Sequence, residues 1–166
     1  MGEAKVGEEF IKHEFDEAIA IQQCIVDAES SLATAHPVDT TKRAIKEALA
    51  ADRKYLQELK TLGSAHDATG EVEDVAGGLT ELMKSTLDKA TTEGNDSDFY
   101  EAHAVLLNLK RKQWDSAGGM LAIARDQKDT RLRDAAKDFQ AGQKESSTTL
   151  TKELAGYAVQ IAGAGA

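Results

Sequence analysis

The chain has 166 residues, of which 41 % are apolar and 30 % are charged, a balance that supports one packed core and excludes disorder along the whole chain. Aromatic residues make up only 5 %, and proline occurs once, which favours helices over sheets. The net charge of −9 argues against a nucleic-acid partner, because an acidic protein repels phosphates. The basic run Lys110-Arg111-Lys112 is interpreted as the solvated face of a helix.

The sequence carries few signals of cellular location. Its single cysteine, Cys24, cannot form an intrachain disulfide and lies in an apolar run, where a buried and unreactive thiol is expected. The first ten residues are charged and lack the apolar centre of a signal peptide. No stretch approaches the roughly 18 apolar residues of a membrane span. We therefore predict a cytoplasmic protein that does not enter membranes.

Apolar residues recur with helical spacing along nearly the whole chain. The first helix is predicted over about 6–35 and ends before Pro37, because the residue before a proline avoids the α conformation. The second helix is predicted over about 39–62, with Asp39 or Thr40 as its cap.

The rest of the chain is predicted to form one short helix and two long ones. The short helix covers about 71–90, and the long helices cover about 97–125 and about 130–161. The residues expected to face the interior or its edge include Phe10, Phe15, Ala18, Ile25, Leu32, Ile45, Leu49, Leu59, Leu82, Met83, Leu106, Leu109, Met120, Phe139, Leu150 and Tyr157.

The lengths of the connections predict how the helices are arranged. The first two long helices are joined tightly, as are the last two, so each pair forms an antiparallel hairpin. The gap between the second and third long helices requires a crossover, and the short helix lies in it. The sequence thus predicts a single all-α domain over residues 1–166, a four-helix bundle of two hairpins and one long crossover.

Polar residues interrupt the inward-facing stripes near the middle of the long helices. They are Glu17 and Gln22 on the first helix, Asp52 on the second, Gln113 on the third, and Gln143 with Ser146 on the fourth. A buried polar group costs roughly 1–3 kcal/mol unless it has a partner. Several such groups at similar depth are therefore expected to face each other or shared water.

This layout of helices and buried polar positions resembles the ferritin-like superfamily, in particular its small bacterial members of the rubrerythrin type or of unknown function. Active members hold two metal ions through a Glu from each of two helices and a Glu-x-x-His from each of the other two. The resemblance implies that the equivalent positions here are Glu17, Asp52, Tyr55, Gln113, Gln143 and Ser146. On the third long helix, Glu101 and His103 are alternatives to Gln113.

Most of the ligands that the resemblance would require are missing. No histidine of the chain has a glutamate three residues before it, and only Glu17 and Asp52 among the equivalent positions are carboxylates. Two divalent ions need several anionic or imidazole ligands to offset their dehydration. We therefore expect a ferritin-like bundle whose di-metal site has been lost, with no catalytic residues and no cofactor.

Three functions remain open at this point. The first is a non-enzymatic bundle that forms a homo-oligomer such as a dimer, or binds a partner or small ligand. The second is an iron or manganese oxidase, peroxidase or iron-handling protein of oxidative or other stress. Its residues would be Glu17, Asp52 and Tyr55, with Glu14, Glu101 or His103 in support. The third is a plain helical interaction or lipid-associating protein, although the acidic surface argues against anionic membranes.

Overall fold

The computed structural model describes residues 2–72 and 75–164. Within these ranges the α-helices are α1 (Gly2–Ala35), α2 (Asp39–Gly63), α3 (Val75–Glu93), α4 (Asp96–Asp126) and α5 (Thr130–Gly163), with a 3-10 turn at Ser64–His66. No strand occurs in the described part of the chain. The prediction of an all-α fold is confirmed.

Two of the predicted helix boundaries are wrong by several residues. Helix α1 begins at Gly2 rather than near residue 6 and continues through Gly7, since an isolated glycine is tolerated within a helix. Helix α3 begins at Val75 rather than at residue 71, since Glu71 and Val72 are not helical, and it continues to Glu93. The predicted residues 73–74 lie outside the described ranges.

The N-terminus of α2 is capped differently from the prediction. Asp39 and Thr40 lie inside the helix, and the cap position is taken by Val38, whose backbone is extended at φ −101° and ψ 118°. The Val38 amide donates to Nδ1 of His36 at 3.1 Å. Proline at position 37 holds this short connection in place, so the donor that begins the helix is satisfied from the preceding turn.

The four long helices pack side by side, and α1 and α5 each contact both α2 and α4. Helix α1 packs against α2, α3 and α4, while α5 packs against α2 and α4. Gln113 contacts Ala18, whereas His103 lies beside His36, so α1 and α4 are antiparallel. Helix α2 is antiparallel to its hairpin partner α1, so α2 and α4 run in the same direction. The connection between them must return along the helices, and α3 lies in it.

The apolar residues of the long helices fill the interior largely as predicted. Leu32, Ile45, Leu59, Leu106 and Leu150 have no exposed surface and come from all four long helices. Leu82, predicted on the apolar side of its helix, is 50 % exposed, and Phe10, predicted on the flank of the inward stripe, is 55 % exposed. Residues 5–10 of α1 are all exposed, and α3 buries a narrow face with Ala76, Met83 and Ala90.

The segment that leads into α3 is attached to α1 through Asp16. Its Oδ1 accepts the backbone amides of Thr69 at 2.7 Å and Gly70 at 2.9 Å, and its Oδ2 accepts Lys12 Nζ at 2.7 Å. Burial opposes the ionised form, but these donors outweigh it and hold the pKa of Asp16 below its ordinary value. This attachment draws the chain along α1 before α3 can begin.

Candidate functional site

Six polar side chains meet in the interior, and all four long helices contribute to them. This core polar cluster consists of Gln22 and Glu29 from α1, Asp52 from α2, Lys110 and Gln113 from α4, and Gln143 from α5. None is more than 3 % exposed. The expectation that buried polar positions face each other therefore holds for Gln22, Asp52, Gln113 and Gln143.

An ionic trio lies within the cluster. Lys110 Nζ donates to Asp52 Oδ2 at 2.7 Å and to Glu29 Oε2 at 3.2 Å. The side chains of Lys110 and Glu29 have no exposed surface, and that of Asp52 is 1 % exposed. The interpretation of residues 110–112 as a solvated run is thus wrong for Lys110, whose charge is balanced by acids from two other helices.

Two amide side chains complete the hydrogen bonding of Asp52, and a third, Gln113, bonds one of them. Gln143 Nε2 donates to Asp52 Oδ1 at 2.7 Å. Gln22 Nε2 donates to the same Oδ1 at 3.2 Å and to the Asp52 carbonyl at 2.9 Å. Gln113 Nε2 donates to Gln22 Oε1 at 3.1 Å and to the Ala18 carbonyl at 2.8 Å. These bonds hold the carboxylate of Asp52 in one orientation, with Oδ2 toward Lys110.

Burial and charge set the protonation of the trio. Burial raises the pKa of Glu29 well above its ordinary value, attraction to Lys110 opposes this shift, and the neighbouring Asp52 adds to it. Burial lowers the pKa of Lys110, but attraction to Glu29 and Asp52 outweighs it and raises the pKa above its ordinary value. Lys110 is thus held in its charged form by its acidic partners, while burial favours the protonated form of Glu29.

The local sequence explains why these residues share one face. Lys110 follows Leu106 by four residues and precedes Gln113 by three, so all three lie on one side of α4. Glu29 likewise lies four residues after Ile25, on the buried side of α1. Helical spacing was the signal that could have identified both residues as buried. For Lys110 this signal was missed, because Lys110 was interpreted together with Arg111 and Lys112 as a solvated basic run.

The structure separates the six positions implied by the ferritin-like resemblance into two groups. Asp52, Gln113 and Gln143 belong to the cluster. Glu17 is buried apart from it and pairs with Lys112. The ring of Tyr55 stacks on Phe139 with centroids 3.9 Å apart, and the half-buried Ser146 has no hydrogen-bond partner for its Oγ.

The alternative residues on α4 and α1 also lie outside the cluster. Glu101 is exposed, and Glu14 is half-buried beside the exposed His13. His103 is fully buried, but its ring lies 6.0 Å from that of His36, centroid to centroid. Of the residues considered for α4, Gln113 is therefore the one that reaches the cluster.

The two buried histidines form a second polar region at the end of α1. Burial lowers the pKa of His36 to about 4, and His103 nearby adds to this shift. Burial also lowers the pKa of His103, although the Leu150 carbonyl and Glu153 act against it. Nε2 of His36 and both ring nitrogens of His103 lack a well-formed hydrogen bond.

The cluster offers some acceptors to a ligand but few to a metal ion. Across residues 2–72 and 75–164, no group of three or more His, Cys, Asp or Glu side chains is placed to hold a metal ion. Oε1 of Glu29, Gln113 and Gln143 has no hydrogen-bond partner. Gln143 also lines three surface clefts of about 130, 260 and 530 Å³, so it is the member of the cluster nearest to solvent.

Comparison with known proteins leaves the function to be inferred from this geometry. No protein-family model matches the chain, and no curated protein matches it. No helix in the described part of the chain is long and apolar enough to cross a membrane.

Proposed function

We propose that this chain is a ferritin-like four-helix bundle without a di-iron centre, in which a buried lysine takes the position of the metal ions. The observation that carries the proposal is the ammonium of Lys110, 2.7 Å from Asp52 and 3.2 Å from Glu29. Active members of the superfamily place their cations where ligands from four helices converge. Here four helices also converge, and a side chain supplies the positive charge.

The donor set supports this assignment. A divalent ion would have to displace Lys110 from the two carboxyl groups it bonds, and the displaced ammonium would lose its partners in a buried position. The other groups at the site are amides, which are weak ligands for iron and manganese. Such a core holds the helices in register and carries out no oxygen chemistry.

The role that follows is binding, through a homo-oligomer such as a dimer or through a partner or small ligand. The cleft of about 530 Å³ between α4 and α5 is lined by Trp114, Arg111 and Lys144, with the buried Gln143 among its walls. The indole of Trp114 is 37 % exposed and donates to the Gln140 carbonyl at 3.2 Å, which fixes its orientation. A ligand there would find a cationic rim and an aromatic surface.

Metal analysis of the purified protein tests the proposal. Protein produced in medium supplemented with iron and manganese is expected to contain far less than one metal ion per chain. The variant Lys110→Ala exposes both acids to a cation, so it is expected to bind more divalent metal than the natural chain. Lys112→Ala, which removes only the partner of Glu17 outside the cluster, is the matched control and should leave metal content unchanged.

Two results would contradict the proposal. Near-stoichiometric iron or manganese in the natural chain would show that Lys110 does not exclude metal. Oxygen or peroxide consumption by iron-loaded protein that is lost in Asp52→Ala would establish the alternative oxidase or peroxidase. Circular dichroism of each variant separates loss of binding from loss of the fold.

A further inference from the structure

The ionic trio also holds two groups that can react with each other. Lys110 Nζ is an amine 2.7 Å from a carboxyl oxygen of Asp52, and neither side chain is more than 1 % exposed. Groups held in contact by a folded chain react without the entropic cost of meeting. We propose that Lys110 and Asp52 become joined by an intramolecular isopeptide bond, with Glu29 as the catalytic acid and base.

The amides around Asp52 are placed to assist such a reaction. Gln143 Nε2 and Gln22 Nε2 both donate to Oδ1, at 2.7 and 3.2 Å, while Oδ2 is the oxygen that faces Lys110. When the amine attacks the carboxyl carbon, negative charge develops on the oxygen that stays. Donors already aimed at that oxygen stabilise the tetrahedral intermediate. Oδ1 is thus the retained oxygen, and Oδ2 is the one that leaves.

Glu29 is the group that can move the protons. Its Oε2 lies 3.2 Å from Lys110 Nζ, so it touches the nucleophile directly, and Asp52 is near enough to affect its titration. Burial raises the pKa of Glu29 well above its ordinary value, which favours its protonated form. A carboxyl group in this state can give one proton and accept another without a charged intermediate on its own side chain.

The reaction balances within the trio. The Lys110 ammonium first transfers a proton along its hydrogen bond to Asp52 Oδ2, which leaves a neutral amine and a carboxylic acid. Nζ then bonds to Cγ of Asp52, Glu29 accepts a proton from Nζ and returns one to Oδ2, and the bond from Cγ to Oδ2 breaks. The products are one amide, one water molecule and Glu29 protonated as before. No oxidant or co-reactant is consumed.

The surroundings favour the product over the reactants. Two buried charges each carry a desolvation cost, whereas an amide is neutral and carries none for charge. The attraction of the two acids raises the pKa of Lys110, so most lysine is an ammonium and the reaction is expected to be slow. The same burial keeps water away from the finished bond, which protects it from hydrolysis.

Intact-mass spectrometry of the denatured protein tests this proposal. Protein that has been folded and aged is expected to weigh less than its sequence by one water molecule. A tryptic digest should lack cleavage after Lys110 and contain a branched peptide that joins the Asp52 and Lys110 segments. Lys110→Met, which has no nucleophile, and Glu29→Gln, which keeps the size of the catalytic group, should both retain the full mass.

The matched control is Lys112→Met, which removes the adjacent lysine on α4 outside the trio and should still lose one water. A full mass for the natural chain after prolonged incubation in the folded state would overturn the proposal. A water loss that survives in Lys110→Met would also overturn it, because the lost water would come from elsewhere. The joined form leaves Glu29 as the one carboxyl group of the trio, so low metal content is expected with or without the bond, and the mass measurement is distinguishable from failure of the proposed function.

Discussion

His36 shows how one residue at the end of a helix acquires unusual chemistry from its surroundings. It has no exposed surface, and it packs against the rings of Phe99, His103 and Tyr157. The charged groups that act on it are Glu153 of α5, which favours its protonated form, and Lys42 of α2, which opposes it. Burial is the largest influence and keeps the ring neutral.

The stability of the protein is therefore expected to fall as the pH drops from about 6.5 to about 4. The pKa of His36 is lowered to about 4, so in this range the unfolded chain binds a proton at His36 and the folded chain does not. The shift from 6.5 to about 4 corresponds to about 3 kcal/mol of unfolding free energy. Urea unfolding across this range measures the loss, to which His103 contributes in the same direction.

Variant His36→Asn separates this effect from general acid unfolding. Asparagine does not titrate, but it keeps an acceptor for the Val38 amide, so we expect a shallower decline in stability with falling pH. His13→Asn, at an exposed position, is the matched control and should follow the natural chain. Identical pH profiles for His36→Asn and the natural chain would contradict the assignment.

At the level of elements, the path between α2 and α3 depends on a close contact with α1. Gly70 has φ +85°, and a Cβ there would lie 2.8 Å from Ile19 Cγ2. Its amide is also one of the two held by Asp16. The chain can lie this close to α1 only because position 70 has no side chain.

Replacing Gly70 by alanine is expected to destabilise the protein by about 2–4 kcal/mol, since strain at positive φ adds to overlap with Ile19. Gly94→Ala is the matched control, because Gly94 has φ +71° but nothing within 4 Å of an added Cβ. It should lose only about 1 kcal/mol. Chemical denaturation of both variants measures the difference, and equal losses would show that the contact with Ile19 is unimportant.

For the molecule as a whole, the distribution of charge matters more than its sum. The net charge is −9, so like charges on the surface repel each other, while the ionic trio is buried in the interior. Salt screens interactions between exposed charges but screens buried pairs much less. Added salt should therefore relieve the repulsion and leave the trio unaffected.

Thermal unfolding is expected to shift to higher temperature when sodium chloride is raised from about 20 to about 200 mM. The gain in stability should be modest, on the order of 1 kcal/mol, because exposed pairs such as Lys5 with Glu9 weaken at the same time. Differential scanning calorimetry at both concentrations measures it. A lower unfolding temperature in salt would indicate that surface ion pairs outweigh the repulsion.

The sequence alone determined which side of each long helix is buried. The spacing of Leu106, Leu109 and Gln113, or of Ile45, Leu49 and Asp52, specifies a face, because one turn of helix takes 3.6 residues. The same periodicity predicted the long helices to within a few residues. It also placed Asp52, Gln113 and Gln143 in the interior, where they meet in the core polar cluster.

Only the tertiary structure decided which charges the interior tolerates. A buried lysine is unfavourable until acids from other helices reach it, and nothing near Lys110 in the sequence reveals that Glu29 and Asp52 do so. The path into α3 was likewise decided by contacts, since Asp16 of α1 holds the amides of Thr69 and Gly70. Periodicity is local, whereas the free energy of a buried charge depends on partners that only the packed helices bring within hydrogen-bonding distance.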